Sequence, residues 1–246
     1  MKIAVIIPTY NESRAIGNLL DAVENEIKDI SHETFVVVVD GNSTDGTIET
    51  VREKERRYRN IRLLVEKEKA GLGSAYCAGI AYAIYKLGVD AFIEFDGDFQ
   101  HDPKDIPRLV VEFEKGYDYV IGSRYVSGGS VPDEWAWQRK ILSRFGSLFI
   151  RWALWLPTHD NTSGLKLSRV YGFAKRLPLA PERLISRRHA YKIEFLYIML
   201  KNGAKAKEIP IRFLSRKGGD SKSTAEDILE SLRVILILRL HNLWRS

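Results

Sequence analysis

Short runs of apolar, often β-branched residues recur through the first half of this 246-residue chain. Ile3–Ile7 and Phe35–Val39 are continuous apolar runs, without the alternation of a strand that is half exposed. Such runs are typical of strands buried on both faces, as in parallel sheets covered by helices. Mostly apolar runs follow at Ile61–Val65, Ala91–Phe95 and Tyr117–Ile121. Because helical stretches separate them, the pattern predicts an α/β fold with a mostly parallel sheet flanked by helices.

Apolar residues at helical spacing lie between these runs and continue through the second half of the chain. The predicted helices are Ser13–Asp29, Gly73–Leu87, Pro103–Lys115, Trp137–Leu156, Ala190–Lys201 and Thr224–Trp244. A further short strand is predicted at Ala206–Ile211. With no linker or repeat in evidence, we expect one domain over residues 1–223, followed by an amphipathic helix over 224–246.

The charge of the chain is unevenly distributed. Residues 165–246 hold 18 Lys and Arg against 7 Asp and Glu, a balance of +11, whereas residues 1–164 have a balance of −5. The basic part predicts an anionic partner such as a phosphate, a lipid headgroup or a nucleic acid. Nucleic acid is the disfavoured alternative, since no recognition motif accompanies the charge. The single cysteine, Cys77, excludes an intrachain disulfide and indicates a reducing compartment.

Acidic and amide side chains alternate directly after the fourth predicted strand, in the stretch FIEFDGDFQHDP. If the strand continued, Asp96, Asp98 and Gln100 would point to the same side. Two carboxylates and an amide oxygen together are ligands for a hard divalent cation. Mg²⁺ and Mn²⁺ bind to such oxygens, with water and substrate phosphates completing the shell. The stretch therefore predicts a metal site.

Two other predicted strands end in candidate binding residues. The stretch PTYNE, residues 8–12, follows the first strand, and Asp40 follows the second. Ligands of parallel α/β sheets bind at the carboxyl ends of the strands, so these residues are expected beside Asp96. An aromatic ring, an amide and a carboxylate at that edge could hold a base and a ribose by stacking and hydrogen bonds.

Five blocks of the sequence, in order, resemble the family 2 glycosyltransferases of the GT-A fold. They are IIPTYNE, VVDGNSTDGT, KAGLGSAYCAG, EFDGDFQHDP and IGSRY. The second half narrows the resemblance to the dolichol-phosphate mannose synthases, a group of polyprenyl-phosphate mannosyltransferases. The similar stretches there are GSRYVSGG, NTSGLK and FLSRKGGDSK, together with Trp137, Arg139 and Ser143.

This resemblance implies an inverting transfer of mannose from GDP-mannose to dolichyl or another polyprenyl phosphate. Residues 1–122 would bind the nucleotide sugar and an Mg²⁺ or Mn²⁺ ion, and residues 123–223 would bind the acceptor. The implied metal ligands are Asp96, Asp98 and Gln100. The implied nucleotide-sugar residues are Pro8, Tyr10, Glu12, Asp40 and Asp96. The implied acceptor-phosphate residues are Arg124, Arg139, Ser143, Arg216 and Lys222, and the implied catalytic residues are Asp96, Asp98, Arg124 and Arg139.

The chain departs from the family pattern in one position after the second strand. The family usually has Asp-Asp there, and this chain has Asp40-Gly41. A nucleotide contact is expected to be missing, which leaves the base less certain. The alternative within the same enzyme class is a UDP-glucose-dependent polyprenyl-phosphate glucosyltransferase or another family 2 glycosyltransferase.

No segment is expected to span a bilayer, because the longest apolar run has six residues. Many members of the resembling family carry transmembrane helices beyond the catalytic domain, and none is expected here. Two predicted helices, Trp137–Leu156 and Thr224–Trp244, combine aromatic and aliphatic residues with basic ones, as interfacial helices do. The expected location is therefore cytoplasmic, with peripheral attachment to a membrane surface.

Overall fold

A seven-stranded sheet organises the computed structural model, which describes residues 1–215 and 225–243. The strand order across the sheet is β3-β2-β1-β4-β6-β5-β7. The strands are β1 Lys2–Thr9, β2 Glu33–Asp40, β3 Ile61–Val65, β4 Ala91–Glu94, β5 Tyr119–Ser123, β6 Lys166–Arg169 and β7 Ala206–Pro210. The predicted α/β class with a mostly parallel sheet is confirmed.

Strand β6 is the exception to the parallel order, since it runs antiparallel to both β4 and β5. The sequence pattern does not predict this strand, because its four residues, KLSR, lack an apolar run. Lys166 is nevertheless fully buried, and its register partner on β4 is Glu94. The negative charge of Glu94 favours the charged form of this buried lysine, and its Nζ donates to the carbonyl of Lys192 at 3.2 Å.

Seven α-helices are assigned within the described residues. They are α1 Ser13–Ile27, α2 Thr47–Arg57, α3 Leu72–Tyr82, α4 Asp105–Glu114, α5 Trp137–Leu154, α6 Tyr191–Lys201 and α7 Ala225–Leu243. Helix α3 runs on into a wider turn at Ala83–Leu87. The helices predicted above are all found, with ends displaced by at most a few residues where both can be compared. The predicted ends of the last helix, Thr224 and Trp244, lie outside the described residues.

Side chains alternate between the two faces of the central strands and build two cores. Ala4, Ile6 and Val39 face the core that includes residues of α3 and α6. Ile3 and Val5 face the opposite core, which includes residues of α1 and α4. Both faces are therefore apolar, as the continuous runs predicted. The carboxyl ends of β1, β2 and β4 are left open at one edge.

Gly79 sets how closely α3 approaches the sheet. A Cβ at this position would lie 2.5 Å from Cγ2 of Ile6 and 2.8 Å from Cγ2 of Val39. Real side chains do not approach so closely, so any other residue would push α3 away from β1 and β2. Helix α3 begins beside the open edge of the sheet, and this contact fixes its distance there.

We predict that Gly79→Ala lowers the free energy of unfolding by about 1–3 kcal/mol, because the methyl group overpacks this contact. Gly146→Ala in α5 is the matched control, since a Cβ there would meet no atom within 4 Å. That change should raise stability by about 0.5–1 kcal/mol through the higher helix propensity of alanine. Urea unfolding of both variants measures the difference, and equal effects would contradict the packing argument.

Candidate active site

A cavity of about 500 Å³ opens at the carboxyl ends of β1, β2 and β4. Its volume is typical of a small-molecule site. It brings together seven of the residues predicted from the sequence: Pro8, Tyr10, Glu12, Asp96, Asp98, Gln100 and Arg139. The other lining residues are Thr9, Gly41, Glu66, Lys69, Gly71, Leu72, Ala75, Gly97, Arg188 and His189.

The acidic stretch reaches this cavity through a turn, and not through strand alternation as expected. Strand β4 ends at Glu94, before the first aspartate, and Phe99 has a left-handed φ of 61°. Within the turn, the backbone N–H of Gln100 donates to Oδ1 of Asp98 at 3.0 Å. The side-chain Nε2 of Gln100 donates to the carbonyl of Leu214 at 3.3 Å. The turn thus directs several oxygen-bearing side chains toward one space.

Asp96 is held by partners from two helices. The hydroxyl of Tyr76 in α3 donates to Oδ1 at 2.8 Å, and Nζ of Lys192 in α6 donates to Oδ2 at 3.0 Å. Nε2 of the buried His101 lies 3.7 Å from Oδ2. Burial alone would raise the pKa of Asp96, but Lys192 and His101 outweigh it and hold that pKa well below its usual range. Asp96 is therefore an ionised carboxylate in a fixed position.

Gly164 allows Asp96 and Lys192 to meet. A Cβ on Gly164 would collide with the carboxylate of Asp96 and would lie 2.7 Å from Nζ of Lys192. This glycine belongs to the stretch NTSGLK, which leads into β6. The position of the antiparallel strand therefore bears directly on the site.

The oxygen donors fit a divalent cation that is held largely by its substrate. The described part of the chain contains no group of three His, Cys, Asp or Glu residues able to enclose a metal. Asp98 and Gln100 offer hard oxygen donors at the cavity wall, and the oxygens of Asp96 already accept bonds from Tyr76 and Lys192. Mg²⁺ characteristically takes one or two carboxylates and completes its shell with water and phosphate oxygens. The chemistry of the residues present is compatible with that arrangement.

Asp40 does not line the cavity, in contrast to the sequence expectation. It is fully buried, and its carboxylate accepts bonds from the hydroxyl of Thr9 and from the backbone and hydroxyl of Ser43. Those three donors tie the end of β2 to β1 and to the following loop. Gly41 faces the cavity in its place.

The predicted acceptor residues occupy different surroundings. Arg139, in the first turn of α5, lines the cavity, and its guanidinium lies 3.9 Å from the ring centre of Trp135. Arg124 is buried outside that lining, where Nε and Nη2 each donate to the carboxylate of Asp160 at 2.7 Å. The hydroxyl of Ser143 is 2.5 Å from that of Tyr125.

The bond between Ser143 and Tyr125 joins α5 to the segment that follows Arg124 in the sequence. Arg124, Arg139 and Ser143 thus belong to one connected region, although Arg139 alone among them reaches the cavity. Arg216 and Lys222 lie outside the described residues. Their predicted acceptor role stays a prediction.

Several cavity residues escaped the sequence analysis. Arg188 bonds to Glu226 and Asp227 at 3.0 and 2.9 Å, so it joins the cavity rim to the start of α7. Lys69 approaches the ring centre of Tyr10 to 3.9 Å. Lys192, which bonds to Asp96 but does not line the cavity, left a signal as a lysine within the apolar stretch AYKIEFLYIML. The others stand in ordinary charged loops, where sequence gives no reason to select them.

One wall of the cavity depends on the segment before α6. Gly71 has a φ of 106°, and a Cβ there would lie 2.5 Å from the carbonyl oxygen of Arg187. The N–H of Gly73 donates to that same carbonyl at 2.8 Å. Glu194 anchors the segment from behind, because its Oε2 accepts the N–H of Ile185 at 3.0 Å. Burial raises the pKa of Glu194 to about 7, against the opposing effect of backbone N–H donors from Ile185 and Ser186.

We predict that Glu194→Gln weakens the pH dependence of stability between pH 4.5 and about 7. A carboxyl group with a higher pKa in the folded chain than in the unfolded chain stabilises the fold. This contribution is complete at pH values below the pKa of the unfolded chain. That contribution is lost as the pH rises through the folded value. The wild type should therefore lose stability relative to the variant across this window. Urea unfolding at several pH values measures it, with the exposed Glu182→Gln as control. Parallel curves for the wild type and Glu194→Gln would contradict the prediction.

The amino-acid sequence of this chain is similar to those of known proteins. Residues 4–177 match the family model described as glycosyl transferase family 2. A polyprenol monophosphomannose synthase from Mycolicibacterium smegmatis is 31% identical, over 93% of this chain and 83% of its own length. An undecaprenyl-phosphate mannosyltransferase from Micrococcus luteus is 33% identical, over 94% of this chain and 91% of its own.

A solved structure supports the same fold. Glucosyl-3-phosphoglycerate synthase from Mycobacterium tuberculosis, crystallised with Mn²⁺, UDP and phosphoglyceric acid, aligns with a TM-score of 0.69. The alignment covers 98% of this chain and 78% of that one, at 16% sequence identity, so it bears on the fold alone. The GT-A arrangement expected from the sequence is confirmed. The family model and the two sequence relatives establish that the chain belongs to glycosyltransferase family 2.

Proposed function

We propose that this protein transfers mannose from GDP-mannose to a polyprenyl phosphate, such as dolichyl phosphate, with inversion at the anomeric carbon. The named activities of the relatives from Mycolicibacterium smegmatis and Micrococcus luteus support the acceptor class and the sugar. Their similarity extends over more than nine-tenths of this chain. It therefore includes the second half, where an acceptor-binding region is expected.

The observation that carries the proposal is the composition of the cavity. Asp98 and Gln100 provide oxygen donors, and Arg139 provides a guanidinium in the same cavity. A donor diphosphate and an acceptor phosphate require these two kinds of group. When bound, Mg²⁺ or Mn²⁺ held by Asp98 and Gln100 would neutralise negative charge on the leaving diphosphate.

The acceptor needs little activation by the protein. A phosphate monoester has a second pKa of about 6, so it is largely dianionic at neutral pH and already nucleophilic. A strong general base is then unnecessary. The residues' task is to bind and orient that phosphate, and arginine suits it because its planar guanidinium contacts phosphate oxygens in pairs. Direct attack of a phosphate oxygen on the anomeric carbon breaks the bond to the nucleotide diphosphate and inverts the configuration.

The direct test is incubation of the purified protein with undecaprenyl phosphate and separate GDP- and UDP-linked sugars. Mass spectrometry of the lipid fraction should show a hexose adduct from GDP-mannose, and digestion with anomer-specific mannosidases should show inverted configuration. A product formed from UDP-glucose alone would replace the proposal with the glucosyltransferase alternative. Absence of any glycosylated lipid would reject the acceptor class.

We predict that Asp98→Asn lowers kcat/KM by at least about 100-fold, since an amide is a much poorer ligand for a hard cation. Asp102→Asn is the matched control in the same turn, because Asp102 does not line the cavity. The wild type should also lose activity in excess chelator and regain it with added Mg²⁺ or Mn²⁺. Full activity of Asp98→Asn, or of the chelated enzyme, would contradict a metal role for this residue.

We also propose that the protein binds the membrane surface from the cytoplasmic side. None of the helices in the described part of the chain has the length and hydropathy needed to cross a bilayer. Helix α5 leaves Phe145 and Trp152 exposed by 63% and 72%, and the following Trp155 by 71%. Helix α7 exposes Leu229 and Leu236 beside it, although Val234, Ile235 and Leu238 of the same helix are buried.

The charge and the lipid substrate favour a bilayer as the partner of this apolar surface. Each methylene of a polyprenyl chain costs about 0.8 kcal/mol to transfer into water, so the enzyme has to reach the lipid where it lies. The +11 balance of residues 165–246 would add attraction to anionic headgroups. That attraction amounts to about 1 kcal/mol for each basic residue near the surface.

We predict that changing Trp152 and Trp155 together to Ser weakens binding to anionic vesicles by at least about tenfold, through loss of buried apolar area. Tyr171→Ser is the control, because Tyr171 is 89% exposed but does not belong to α5 or α7. Co-sedimentation with vesicles at low and high salt measures the effect. Unchanged binding by the double variant would show that another surface contacts the lipid.

A further inference from the structure

One corner of the cavity has a composition that the transfer chemistry does not explain. It is formed by Tyr10, Gly41, Glu66 and Lys69, all of which line the cavity. The corner lies at the ends of β2 and β3, and the turn after β4 that is proposed to bind the metal lies on the other side of β1 in the strand order. None of these residues bears on the phosphates in the arrangement described above. Besides its phosphates, a nucleotide presents a ribose and a base, and the base is the part that distinguishes GDP from UDP.

Glu66 occupies the space beside the unusual glycine. A Cβ built on Gly41 would lie 3.7 Å from Oε2 of Glu66 and 3.3 Å from Cδ2 of Tyr10. The residue that follows β2 thus has no side chain, and the carboxylate next to it belongs to the residue that follows the neighbouring strand, β3. A carboxylate is present at this corner even though position 41 itself provides none.

The backbone on both sides holds Glu66 in place. Its N–H donates to the carbonyl of Asp40 at 2.8 Å, which extends the pairing of β3 with β2 by one residue. Its carboxylate accepts a bond from the backbone N–H of Ala70. Burial raises the pKa of Glu66, Ala70 opposes this shift and Asp40 adds to it. The carboxylate is therefore oriented and partly desolvated. A hydrogen bond donated to it by a ligand would be favourable, because it would replace lost contacts with water.

The hydrogen-bonding pattern of a carboxylate selects between bases. An ionised carboxylate only accepts hydrogen bonds, through two parallel oxygens. Guanine presents two adjacent donors on one edge, the ring N1–H and the exocyclic N2–H, which match those oxygens. Uracil presents a single N3–H between two carbonyl oxygens, and these would face the carboxylate with like partial charge.

We propose that Glu66 recognises guanine by accepting hydrogen bonds from its N1–H and N2–H groups. Glu66 is thereby a specificity-determining residue that selects GDP-linked over UDP-linked donors. This inference rests on the proposed nucleotide-sugar function of the cavity. Tyr10, whose ring Lys69 contacts, would form the adjoining wall of the base subsite.

The test compares the dissociation constants of GDP and UDP, measured by calorimetry for the wild type, Glu66→Gln and Glu68→Gln. Glu68 is the matched control, since it is exposed on the same loop and does not line the cavity. In Glu66→Gln the affinity for GDP should fall by about tenfold or more, the value of one good bidentate contact to a base. The affinity for UDP should hold or improve, because an amide can pair with the N3–H and a carbonyl of uracil.

A GDP-to-UDP preference that drops at least about fivefold in Glu66→Gln, but not in Glu68→Gln, supports the inference. A smaller change, or an equal loss of both nucleotides, overturns it, and retained UDP binding shows that the variant is folded. The lipid product assay separates this result from the proposed function. A wild type that makes mannosyl lipid while Glu66→Gln keeps its preference refutes the base assignment alone. A shifted preference without any lipid product refutes the mannosyl transfer alone.

Discussion

The bond between Asp96 and Lys192 is the interaction on which the site depends. It joins the turn after β4 to the first turn of α6, at 3.0 Å, while Tyr76 reaches the same carboxylate from α3. Removing one member of a largely buried ion pair costs about 3–5 kcal/mol, because the remaining charge loses its compensation. The site therefore cannot form unless these elements are correctly packed. The carboxylate of Asp96 thus contributes both to the cavity and to the packing of α3 and α6.

A second group of buried charges adjoins this pair, since Nζ of Lys166 donates to the carbonyl of Lys192 at 3.2 Å. Lys166 on β6 faces Glu94 on β4, and the hydroxyl of Tyr191 donates to Glu94 at 2.9 Å. Burial lowers the pKa of Lys166 to about 8, although the charge of Glu94 opposes that shift. These groups connect the antiparallel strand to β4 and to the first turn of α6. Close contacts at Gly79 and Gly164 complete the fit, since no side chain can be added where helix, strand and turn meet.

Two regions of the molecule present different kinds of side chain. The carboxyl ends of the parallel strands gather acidic and amide groups around a cavity, and α5 with α7 presents aromatic and aliphatic groups outward. Arg139 belongs to both regions, because it stands in the first turn of α5 and lines the cavity. Arg188 makes a second connection, through its ion pairs with the start of α7. If α5 and α7 bind the lipid surface, they are therefore connected directly to the cavity through these two arginines.

The sequence by itself determined the fold class, six of the seven α-helices, six of the seven strands and most of the cavity's acidic residues. It could do so because periodicity and turn chemistry are local, and because parallel strands bring their carboxyl ends to one edge. Only the tertiary structure decided how charges are paired. It buried Asp40, joined Arg124 to Asp160, and brought Lys192 to Asp96 across 96 residues of chain. It also placed Glu66 beside Gly41. Partners so distant in sequence leave no local pattern, because their meeting depends on strand order and on helix packing.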